Sequence, residues 1–144
     1  MSMSMKQIHE ETATVRIYGN PVCKWAVNRK TGDIIKSKDV TVHEFCKLRY
    51  DPDWYIYYIE YEYTEYRLNG EIKQTGSRDF SYSNRPKRVT VKTWDGVKRW
   101  KNGYRSYVDH DILVDDGVSL ADLKRVVPFA LPWLAGAEDI KVVR

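Results

Sequence analysis

The sequence predicts an α+β fold, a twisted antiparallel sheet of about seven to nine strands packed by two short helices. Three observations carry this. Runs rich in β-branched and aromatic residues are punctuated by Gly, Pro, Asn and Asp, which is the pattern of strands joined by turns. Asn69-Gly70 and Asp95-Gly96 each stand between two such runs, the strongest short-range sign of a hairpin. Only two stretches combine an N-cap residue with helical spacing of apolar residues. At 144 residues the chain has the length of one domain. Residues 1–11 are expected to form a flexible lead and 12–144 a single domain.

The elements follow in order. Thr12 to Tyr18 and Val22 to Val27 read as a first hairpin broken by Gly19-Asn20-Pro21, and Thr31-Gly32-Asp33 turns the chain into Ile34-Ile35. Thr41 with Glu44 three residues later forms a capping box, and Val42, Phe45 and Cys46 recur on one face, so a helix is predicted from about 42 to 49. Asp51-Pro52-Asp53 ends it. Trp54 to Leu68 is the longest extended run, and a two-residue turn at Asn69-Gly70 would put Ile59 opposite Phe80. Tyr55, Tyr57, Ile59, Tyr61 and Tyr63 would then line the apolar face. The same register sets Glu60 against Asp79, which favours a bulge there over a metal site.

A second hairpin is expected around Asp95-Gly96, with Val91 facing Trp100, Lys92 facing Arg99 and Thr90 facing Lys101. Asp109 to Gly117 reads as an acidic, turn-rich loop. Ser119 opens a helix through Leu120, Leu123 and Val127, with Asp122 in its first turn, to about 127. Pro128 and Pro132 interrupt it, leaving Phe129, Leu131, Trp133 and Leu134 as a buried irregular closure. Asp139 to Val143 is the last strand.

Charge is concentrated rather than spread. Residues 85 to 105 hold eight basic residues against one acid, a net +7 in a chain of net +4. Period-2 alternation would gather Arg88, Lys92, Arg99 and Lys101 on one face beside Trp94, with Arg85, Lys87 and Arg105 flanking. Cations gathered on one face suit phosphates, whose neutralisation releases counterions, and an adjacent indole suits stacking on an unpaired base. This points to a non-enzymatic module contacting nucleic acid or a nucleic-acid-bound complex. The competing expectation is an acidic protein partner or, for an interface built on aromatic residues, docking through Tyr58, Tyr66, Trp54 and Trp94. Size and composition also match those of phage or mobile-element accessory proteins, including inhibitors. A third class is a small-ligand binder or enzyme with its site in a pocket of the curved sheet.

Catalytic and metal chemistry is thin. Asp109-His110-Asp111 with Asp115 and Asp116 lacks calcium-loop spacing, so no metal is expected. His43 and Cys46 lie three apart, but Cys46 is expected to face the core, as is Cys23. No phosphate-binding Gly-rich loop, nucleophile elbow or zinc motif occurs, and no cofactor is implied. The first residues lack the apolar core of a secretory signal, no stretch is long and apolar enough to span a membrane, and two distant cysteines form no disulfide framework. A cytoplasmic location without membrane contact is the expectation.

Overall fold

The structure is a computed structural model that describes residues 3–94, 108–132 and 139–144. Its elements are α1 (Met5–Thr12), β1 (Thr14–Asn28), β2 (Ile34–Lys36), α2 (Val42–Lys47), β3 (Trp54–Arg67), β4 (Ile72–Ser81), β5 (Lys87–Trp94), β6 (Val108–Val114), α3 (Leu120–Ala130) and β7 (Asp139–Val143). Among the described residues, seven strands form one sheet in the order β4-β3-β1-β6-β5-β7, with β2 paired to β1, and three short helices accompany it. The α+β antiparallel architecture is therefore as the turn and strand signals imply. The chain divides into two compact units, one of Met1–Tyr18, Thr64–Thr75 and Lys87–Arg144, the other of Gly19–Tyr63 and Gly76–Pro86. No described helix is long and apolar enough to cross a membrane.

The first unit is built on β5. Its two edges are occupied by β6 and β7, both antiparallel, with Lys92 opposite Asp109 on one side and Lys141 on the other. Val89 and Val91 point inward and are buried with Val15, Leu68, Ile112 and Val114. Leu123, Val126 and Val127 of α3 complete this core, at the i, i+3, i+4 spacing that puts three side chains on one helix stripe. Each such fully buried aliphatic side chain contributes about 1.5–3 kcal/mol relative to exposure. Ser119 caps α3, its hydroxyl accepting from the Asp122 amide at 3.3 Å.

Several expectations are corrected here. The lead contains α1, capped reciprocally by Ser4 and Gln7 and tied to α3 through His9–Asp122 at 2.9 Å and Glu10–Arg125 at 2.5 Å. Asp109 to Val114, the first part of the stretch read as an acidic loop, belongs to strand β6: Asp109 and Asp111 face outward while Ile112 and Val114 are buried, so the acids mark the wet side of a strand. α3 runs through Pro128 to Ala130. A proline in the last turn forfeits only one backbone bond, and Leu131 still donates to the Val127 carbonyl at 2.9 Å. Phe129 is half exposed rather than buried, and Trp133 and Leu134 lie outside the described residues.

In the second unit β1 continues through Gly19-Asn20-Pro21, so the first expected hairpin is absent. None of these residues has a positive φ, and the exposed strand there tolerates a proline without an N–H. The Asn28 side chain accepts from Lys30 and Thr31, and Gly32 with φ of 77° closes the turn to β2. α2 has the predicted capping box, with Thr41 and Glu44 exchanging side-chain bonds at 3.1 and 3.2 Å, and passes into a 3₁₀ turn over Leu48–Tyr50. Ile59, Tyr61 and Phe80 are each buried, and the Tyr61 and Phe80 rings meet edge to face at 5.9 Å. Cys23 and Ala26 are buried with them in this unit.

Candidate ligand cavity and the basic strand

The basic strand is partly as expected. Arg88, Thr90 and Lys92 do alternate outward on β5, away from buried Val89, Val91 and Thr93. Their cross-strand partners differ. On β6 the neighbours of Thr90 and Lys92 are Asp111 and Asp109, and on β7 they are Val143 and Lys141, while the partners expected from sequence, Lys101 and Arg99, lie outside the described residues. Lys92 Nζ lies 3.6 Å from Asp109, Arg88 lies 3.7 Å from Asp111, and the Thr90 hydroxyl donates to Asp111 at 2.9 Å. Two cations of this face thus carry their own counter-charges, as an acidic shield would. Exposed pairs of this kind contribute about 0–1 kcal/mol each, so their effect is on surface potential more than on stability. Lys87 begins β5 opposite Val114, and the backbone of Trp94 pairs with Asp139 at its end. Lys98, Arg99, Lys101 and Arg105 lie outside the described residues, with the Asp95-Gly96 tip.

A groove of about 230 Å³ beside β5 is lined by Lys87, Arg88 and Arg144 but also by Asp115 and Asp116, so it has no clear charge preference. No group of three or more metal-ligating side chains occurs among the described residues.

The second unit holds a larger cavity, of about 610 Å³. It lies within the usual range for small-molecule sites, about 300–1,000 Å³. Four segments of this unit line it. β1 supplies Lys24 and Ala26; α2 and the turn after it supply Phe45, Cys46, Leu48 and Arg49; β3 supplies Trp54, Tyr55, Ile56 and Ile59; and the segment after β4 supplies Tyr82 and Arg85. Trp54 is brought here by Asp51-Pro52-Asp53, whose Asp51 carbonyl accepts the Trp54 amide at 3.1 Å and starts β3 at that residue. Buried Ala26 and Ile59 are its apolar lining, and exposed Arg49, Tyr55, Tyr82 and Arg85 its solvent side. The Arg85 guanidinium sits 4.5 Å over the Tyr82 ring, a cation–π contact that holds the charge beside an aromatic face.

Among the described residues, every charged side chain in this lining is a cation: Lys24, Arg49 and Arg85. The groove beside β5, with Asp115 and Asp116 in its lining, lacks that sign bias. Arg85 and Trp54 are the residues singled out from sequence that the cavity brings together; Arg49, Tyr55, Phe45 and Lys24 are not legible as a set, since they come from separate elements. Cys46, expected in the core, is exposed on α2 and free, because Val42 on the same helix is also exposed and only Phe45 turns partly inward. Tyr58 packs edge to face on Trp25 at 5.5 Å, and Tyr66, a residue of the first unit, is half buried against that unit's own core.

No protein-family model, curated protein or solved structure matches the chain.

Proposed function

We propose that the protein is a non-enzymatic binding module for nucleic acid, and that the contact is centred on the cavity of the second unit instead of on the β5 face. The single observation that carries this is the lining, which among the described residues has three cations, four aromatic side chains and no carboxylate. Nucleic acid offers both complements, phosphates for the cations and base faces for the rings, and each base stacked on an aromatic side chain contributes about 1–3 kcal/mol. The β5 face is the weaker candidate because Asp109 and Asp111 stand 3.6 and 3.7 Å from its cations.

The test is the affinity of a short single-stranded oligonucleotide as a function of salt. Three phosphate contacts on a single strand give a log–log slope of about −2. The double variant Arg49→Glu with Arg85→Glu, whose positions are exposed, should lose binding by about tenfold or more while its circular dichroism is unchanged. Wild-type affinity in that variant overturns the reading. A second reading, docking on a protein partner, is favoured by the exposure of Tyr50, Tyr55, Tyr58 and Tyr82 in the same unit. It predicts capture of a defined partner that is lost on Tyr→Ala substitution and kept on charge reversal.

A further inference from the structure

We infer that the cavity of the second unit accepts one unpaired nucleotide, base inward and phosphate at the solvent side, so that a free nucleoside monophosphate is itself a ligand. This rests on the reading above and makes it more specific. The lining is graded in exposure: Ala26 and Ile59 are buried, Lys24, Phe45 and Trp54 half-buried, and Arg49, Arg85, Tyr55 and Tyr82 exposed. A nucleoside monophosphate carries a planar base with two apolar faces at one end and a charged phosphate on its ribose at the other, and that gradient orients it. The phosphate stays where the guanidinium groups can bind it as a fork while it keeps part of its hydration. The cavity volume of about 610 Å³ is in the range that encloses most of a ligand of this size. A base in a duplex presents only its edges in the grooves, so the aromatic lining can engage it only when it is unpaired.

Adenosine monophosphate is the probe, with adenosine and inorganic phosphate as its halves, titrated calorimetrically into the full chain and competed against a fluorescent oligonucleotide. The expected result is that the monophosphate binds and displaces the oligonucleotide, and that each half binds at least about tenfold more weakly. Cys46→Trp, at an exposed lining position, should weaken both ligands by about tenfold or more without altering the circular dichroism. A readout needing no variant is the Cys46 thiol, whose alkylation should slow several-fold when the monophosphate is bound. If the oligonucleotide binds but the monophosphate neither binds nor protects Cys46, this inference is overturned and the nucleic-acid reading stands. If neither binds, both are overturned. Equal affinity for single strand and duplex also overturns the inference, since an unpaired base would then be unnecessary.

Discussion

Glu65 sits in β3 with 4 % of its surface exposed, held by Arg16 at 2.6 Å, with Lys73 at 3.6 Å and a Gln74 amide at 3.4 Å. The hydrogen bond from Arg16 holds its carboxyl below the ordinary carboxylate range, against the opposing effect of burial. A carboxyl with a depressed folded-state pKa stabilises the fold above its unfolded pKa, and that contribution is lost as pH falls through the folded value. Glu65→Gln is therefore expected to destabilise the protein by about 1–3 kcal/mol near neutral pH, with the gap to wild type narrowing at about pH 3. Urea unfolding of both proteins at the two pH values measures it. A gap that does not change with pH would mean that shape, not charge, is what Glu65 supplies. From sequence alone Glu65 is one of several acids in a tyrosine-rich run; its burial depends on Arg16, 49 residues away, and no local pattern encodes that.

At the scale of elements, the β3–β4 hairpin shows how a turn sets what a strand presents. Asn69-Gly70 was expected to form a two-residue type I′ loop, which needs a positive φ at both residues. Asn69 does not have one; only Gly70 does, at 94°. Gly70 donates to the Arg67 carbonyl at 2.9 Å and Arg67 donates to the Glu71 carbonyl at 2.8 Å, closing a three-residue loop that Asn69 supports by accepting the Glu71 amide at 3.0 Å. Pairing at the turn thus starts one residue earlier than expected, at Arg67 and Glu71. Gly70 is constrained twice, because a Cβ there would also come within 2.4 Å of the Phe129 ring. Gly70→Ala should cost about 1–3 kcal/mol for the backbone alone and more for the displaced ring. Thermal unfolding of this variant with Phe129→Ala beside it separates the two, since removing the ring should recover only the second part. Local signals gave the caps of α2 and α3, this turn's position and the inward face of β5 correctly. They failed for β6 and for the partners of β5, where strand pairing is decided by segments distant in sequence.

Across the whole molecule, charge and aromatic rings are distributed differently from what the sequence suggests when read as a line. The segment densest in cations, 85 to 105, contributes Arg88 and Lys92 to a strand face whose neighbour supplies acids, and contributes Arg85 to a cavity in the other unit. Three-dimensional placement, not local density, decides where a field of one sign survives. The cavity lining gathers Lys24, Arg49 and Arg85 from three regions of a unit that holds nine basic and eight acidic residues in all, so its sign bias is local. This is why the site was not legible in the sequence, although the strands and helices that form it largely were. The account is tested most directly by backbone amide chemical-shift mapping as a single-stranded oligonucleotide is added. It predicts perturbations grouped on residues 45–49, 54–56 and 82–85, with Arg88, Lys92 and Lys141 little changed. Perturbations grouped on those three β5 and β7 residues while the cavity stays silent would contradict it.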